Sequence, residues 1–225
     1  MKTKVWIAIG AEFVILAALL FGGAGTLAWR AAWYFLILFF GAAILATQKI
    51  AQDHPDLLDE RLKLPFQPDQ PRWDKIFLAT FLSLFIIWFP VMGLDAVRFR
   101  WSVMPDWLPW IGADGVAIAM WISFRAFQAN PFAASVVRIQ TERGHRLIST
   151  GPYSYVRHPL YAAALLFLPS IALMLGSWVG LVMTIPMIGA LVVRTILEDR
   201  ELHRALFGYE AYARHVRFRL LPFIW

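Results

Sequence analysis

Apolar residues fall into six blocks separated by polar stretches: Val5–Phe21, about Ala31–Thr47, about Ile76–Leu94, about Ile111–Phe127, about Pro159–Leu175 and about Trp178–Leu197. Each is close to the roughly 20 residues that carry an α-helix across a bilayer. The pattern therefore predicts an all-α, polytopic integral membrane protein with six transmembrane helices. Pro90, near the end of the third block, predicts a kink. Only Gly176 and Ser177 separate the last two blocks, too few residues to leave the membrane region, so these form an antiparallel hairpin. The remainder, Glu198–Trp225, is charged and aromatic and places Leu202, Leu206, Tyr209 and Tyr212 at helical spacing. It reads as a helix continuing into an interfacial tail. Between the second and third blocks, Gln48–Lys75 combines four prolines with mixed charge and reads as a structured loop or interfacial piece. The Trp-rich stretch Trp101–Trp110 suits the headgroup level. The chain is one membrane domain, with four helices in residues 1–127 and a functional half in 128–225.

Composition agrees: 60% of the 225 residues are hydrophobic, with 11 Trp and 18 Phe, against about half in soluble domains. Val5–Phe21 is long enough to span and is not followed by a small-residue cleavage site, so it reads as a retained helix. The absence of Cys excludes disulfides, thiolate metal sites and Cys nucleophiles. No His, Asp and Glu grouping has metal-ligand spacing. The formal charge of +6 is spread through the loops rather than gathered in a stripe, which argues for membrane topology over nucleic acid. With the N-terminus inside, 18 of the 21 Lys and Arg lie on that side, starting with Lys2 and Lys4, and only Arg30, Arg98 and Arg100 lie outside. The positive-inside rule then puts both termini in the cytoplasm, at the inner membrane if the cell is bacterial. The same rule brings the polar segment before the fifth block and the charged C-terminal tail to one cytoplasmic face.

Chemistry concentrates in HRLISTGPYSYVRHPLY, His145–Tyr161. Gly151 and Pro152 make a turn, and Pro159 takes the first helical position, where its missing N–H costs nothing. Arg157 and His158 flank that helix start, which offers unpaired N–H groups to an anion; such residues also serve as plain topology anchors. Arg194 and Glu198, four residues apart, share one helix face close to the apolar region, either as a site or as an ordinary i,i+4 salt bridge. Asp199, Glu201 and His203 read as solvated. Glu12 lies in the middle of the first block, where a carboxylate costs about 2.5–3.5 kcal/mol; it must be protonated, paired or beside a wet cavity, and it is not assigned to the site.

These residues, with FGYEAY and the terminal LPFIW, resemble the isoprenylcysteine carboxyl methyltransferase family and its phospholipid N-methyltransferase relatives, over about Gln140–Trp225. The resemblance implies S-adenosylmethionine as cofactor, with contacts at Gln140, His145, Arg146, Leu147, Ile148, Tyr153, Arg157, His158, Pro159, Leu160, Tyr161 and Glu198. It also implies Arg194 and Glu198 as catalytic residues, Arg194 on the acceptor side. The sequence departs from the family in keeping only Glu198 and Asp199 of a larger acidic cluster, and in carrying Ala163 where a Gly is usual. A sulfonium, an ammonium and a carboxylate need an anion, a cation or helix end, and an aromatic wall, which Glu198, the His158 helix end and Tyr153 with Tyr161 supply. The expected partner is a lipophilic acceptor entering from the bilayer, with membrane lipids around it and no nucleic acid. A carboxylate acceptor needs no base, being ionised at neutral pH. A thiol or amine acceptor needs one, from Glu198 or His158. An isoprenylcysteine-like carboxylate leads the readings. Phospholipid N-methylation, thiol S-methylation, an NADPH-dependent membrane reductase and a non-enzymatic membrane protein remain beside it.

Overall fold

The computed structural model describes residues 3–64, 66–68, 70–138 and 140–225. Lys2 of the charge count, and Pro65 and Asp69 of the proline-rich segment, lie outside the described residues. All regular structure among the described residues is helical. Each apolar block becomes a helix: α1 (Thr3–Ala24), α2 (Arg30–Asp53), α4 (Arg72–Gly93), α5 (Leu108–Ala129), α6 (Pro159–Met174) and α7 (Trp178–Ala205). Two short helices join them, α3 (Pro55–Arg61) and α8 (Tyr209–His215). Four are long and apolar enough to cross a membrane, namely α1, α2, α4 with the turn that follows it, and α7. The apolar α6 is shorter, and α5 carries Asp114 and Arg125 within its length.

The helices are apolar all round, as expected where lipid is the outer solvent. Ile7, Ile37 and Ile185 are exposed while Leu20, Phe35, Trp88, Ile171 and Met187 fill the interior. Small residues let the backbones approach, the usual device of membrane helices. A Cβ on Gly23 would fall on the Pro90 backbone, tying α1 to α4. A Cβ on Gly112 would fall on the Met174 backbone, and one on Gly115 on the Ser170 side chain, so the start of α5 lies against the end of α6.

Pro90 sits inside α4, whose regular geometry gives way to a π turn at Leu94–Arg98. That turn carries Asp95 fully inside. Asp95 accepts from the Ser177 hydroxyl at 2.6 Å, from Ser102 at 2.8 and 2.9 Å, and from the Val179 N–H at 3.1 Å. Ser177 in turn caps α7 by accepting from the Gly180 N–H at 2.8 Å. The α6–α7 hairpin is thus closed at one end by a buried carboxylate whose bonds are all made. The other end of the bundle is polar and open.

Candidate functional site

At the open end Pro159 begins α6 and His158 precedes it. The segment before the helix is paired to the tail: the Arg157 N–H donates to Phe218 O at 3.0 Å and the His158 N–H to Arg219 O at 2.9 Å. The helix start is less open than its sequence predicts, because the N–H groups of Tyr161 and Ala162 both return to His158 O.

Asp199 corrects the sequence reading. It is buried, not solvated, because α7 continues past Leu197 to Ala205 and turns this carboxylate into the bundle. Arg157 grips it with two parallel bonds, Nε to Oδ1 at 2.9 Å and Nη2 to Oδ2 at 3.1 Å. His158 Nε2 at 3.2 Å, the Tyr209 hydroxyl at 2.7 Å and Arg219 Nε at 3.0 Å complete the set. Burial and the Asp199 charge push the Tyr209 phenol well above its ordinary range, so it stays a neutral donor. Arg157 also donates through Nη1 to Val216 O and Arg217 O. Four of its five N–H groups are thereby committed within the chain. His203 stays exposed, as its sequence predicts, with its Nδ1 2.7 Å from Asp199 O.

Arg194 and Glu198 share a face of α7, yet they do not pair with each other. Glu198 accepts a short hydrogen bond from the Tyr161 hydroxyl. Arg194 reaches Asp74 in the first turn of α4, Nη2 lying 3.0 Å from Oδ1, and the same Nη2 donates to Ser135 O at 3.0 Å. Its guanidinium lies over Phe77 at 4.5 Å and over Tyr161 at 5.6 Å.

Residues 130–138 and 140–150 form a roof over this end. Asn130 accepts from the Phe132 N–H and donates to the Tyr153 hydroxyl. Burial keeps that phenol protonated, well above its ordinary range. Arg138 bonds Glu60 of α3 through Nε and Nη2. Gln140 is buried and sets the fold of the roof: its side chain donates to Phe132 O at 2.8 Å and accepts from Arg143, while its N–H donates to His145 Nδ1 at 3.3 Å. That bond makes Nδ1 the bare nitrogen of His145, leaving Nε2 as donor. Burial, with Arg143 and Arg138 nearby, holds this imidazole below its ordinary value. The unfolded chain therefore binds the proton more readily, so stability is complete above about pH 6.5 and declines as the pH falls below it. Melting curves across pH 5–8 are expected to show this acid-side decline in the wild type and to lose it in His145→Gln.

Roof, α6 start, α7 and α8 enclose a cavity of about 620 Å³, within the roughly 300–1,000 Å³ of small-molecule sites. Of the residues singled out in the sequence, His145, Arg146, Leu147, Ile148, Tyr153, Arg157, His158, Pro159, Leu160, Tyr161, Arg194 and Glu198 all line it. Gln140 does not; it stands behind the wall. Arg146 is exposed and makes no ion pair or hydrogen bond among the described residues. One flank of the cavity is apolar, made by Phe81, Phe127, Ala164 and Leu191. Arg61 reaches it from α3, stacked on Phe127 at 4.4 Å. Sequence reasoning missed Arg61, Asp74 and the buried role of Asp199. No residue group among those described has the make-up of a metal site.

Residues 107–208 match the family model described as phospholipid methyltransferase. The match spans under half of the chain. It runs from the foot of α5 to the turn before α8, taking in the roof, Arg194, Glu198 and Asp199 and leaving out α1–α4 with Arg61 and Asp74. It points to methyl transfer as the chemistry of this half of an integral membrane protein. No curated protein matches the chain.

Proposed function

We propose that the protein is an S-adenosylmethionine-dependent methyltransferase acting on the carboxylate of a lipophilic, isoprenylcysteine-like acceptor. The observation that carries this reading is the separation of charge on α7. Glu198 and Arg194 face one cavity a helical turn apart, and each is wired to a different partner, Tyr161 for the acid and Asp74 for the base. One cavity thus has an anionic end and a cationic end.

The residues present fit the cofactor. Glu198 suits a sulfonium or ammonium. Phe132 and His145, stacked at 4.7 Å, and Tyr153 offer flat surfaces to an adenine. With Arg157 committed to Asp199, Arg146 is a cation on the lining that is open to the cofactor carboxylate. Bound there, S-adenosylmethionine supplies an electrophilic methyl group. Arg194 orients the acceptor anion, so that positioning does much of the work, and the apolar flank keeps water from the reacting charges. A carboxylate acceptor asks no proton transfer of the site. The topology proposed with this reading has six spans, with both termini and the cavity on the cytoplasmic side.

A second reading, methylation of a phospholipid amine, is favoured by the description of the matched family. It requires a base, and Glu198 is a carboxylate on the cavity lining that can serve. Titration of the purified protein in detergent with S-adenosylhomocysteine and, separately, NADPH is expected to give saturable heat with the first alone. Saturation with NADPH alone would place the protein among membrane reductases. Labelled-methyl transfer into a prenylcysteine and into an amino phospholipid separates the two acceptors.

A further inference from the structure

Asp74 lies outside the stretch matched by the family model. It is fully buried and stands behind the cavity wall, not on it. Its Oδ2 accepts from Gln70 Nε2 at 2.6 Å and from the Val137 N–H at 3.0 Å. Its Oδ1 lies 3.0 Å from Arg194 Nη2 as an ion pair but receives no directed hydrogen bond.

Two arginines in the same site make the contrast. Arg157 binds Asp199 through the two-pronged fork that arginine ordinarily offers a carboxylate. Arg194 does not fork onto Asp74. Charge, Ser135 O and the faces of Phe77 and Tyr161 hold it, while among the described residues Nε is buried with no partner and Nη1 makes no hydrogen bond. An arginine so held keeps donors unspent although its charge is matched. A buried cation at the membrane boundary without that match is costly. The pair also bolts the roof: Ser135 O and the Val137 N–H, two residues apart, each take one partner.

We propose that Asp74 is the positioning residue of the acceptor arginine, holding the Arg194 guanidinium against Phe77 and Tyr161 with Nη1 uncommitted for the anionic group of the acceptor. This assignment rests on Arg194 being the acceptor arginine. It gives the N-terminal half a share in acceptor recognition.

The test uses the full chain in detergent, methyl-labelled S-adenosylmethionine, an N-acyl S-prenylcysteine and an amino phospholipid as acceptors, and S-adenosylhomocysteine calorimetry. Asp74→Asn keeps the size of the side chain and the acceptor for Val137 but removes the charge. Its kcat/KM for the acceptor is expected to fall about ten- to a hundredfold, since a misplacement of about 1 Å can cost about a hundredfold. S-adenosylhomocysteine affinity stays within about twofold, and Asp74→Glu, which keeps the charge, retains more activity. In an Arg194→Gln background the same change has no further effect. A parallel loss of cofactor affinity, additive losses in the double variant, or unchanged acceptor kinetics overturn the assignment. If Asp74→Asn does not fold, Asp74→Glu must show the same split, and wild-type kinetics in it overturn the proposal. Wild-type protein that methylates neither acceptor overturns the functional reading, and this assignment with it.

Discussion

Asp199→Ala is expected to loosen the polar end of the bundle and to abolish cofactor binding together with it. The substitution leaves the buried Arg157 guanidinium without its counter-charge and strips acceptors from His158, Tyr209 and Arg219. Removing one partner of a buried, hydrogen-bonded ion pair costs about 3–5 kcal/mol, a large part of the stability of a protein this size. Thermal unfolding in detergent checks the stability, and S-adenosylhomocysteine titration checks the site. Asp199→Asn, which keeps an acceptor in place, should lose less. An Asp199→Ala protein that melts with the wild type would show that this hub holds nothing together.

The second large effect is a division of labour on α7. Glu198→Ala removes the acceptor of the Tyr161 hydroxyl and the negative end of the cavity, so the heat of S-adenosylhomocysteine binding should vanish. Arg194→Ala should leave that heat within about twofold and slow methyl transfer on the order of 10²-fold, as misplacement of a reacting group by about 1 Å does. Because Arg194→Ala strands a buried Asp74, it is to be compared with Arg194→Gln/Asp74→Asn, in which neither charge remains. Unchanged transfer in both would remove Arg194 from the acceptor site. Loss of cofactor binding in both would assign the arginine to the cofactor instead.

The helices were legible because hydropathy decides them: a run such as Val5–Phe21 has one stable form in lipid, where every backbone group must be bonded internally. Their polar ends were not. The helix was expected to continue past Leu197, but Asp199 on it read as solvated, whereas it turns inward to Arg157, forty-two residues earlier. Local composition has no sign of such a partner. Tyr153 and His158, beside a turn and a helix start, and His145, from the resemblance alone, were singled out and do line the cavity. Asp74 could not be, since an acidic residue in the first turn of a helix is ordinarily explained by the helix dipole. Its true partner is 120 residues away, on α7. Asp95 was hidden in the same way, its bonds reaching Ser177 and Val179 across the bundle.

The length of α7 has a kinetic consequence. Its 28 residues extend about 42 Å at about 1.5 Å each, beyond the roughly 30 Å of bilayer hydrocarbon. Arg194 and Glu198 stand about 24–30 Å from Trp178 along it, which the proposed six-span topology puts near the boundary of hydrocarbon and water. Under the proposed reaction the acceptor loses its charge on methylation and partitions more strongly into lipid, while the spent cofactor is polar and partitions into water. The two products then leave into different solvents, so accumulation of one outside the protein slows only its own departure.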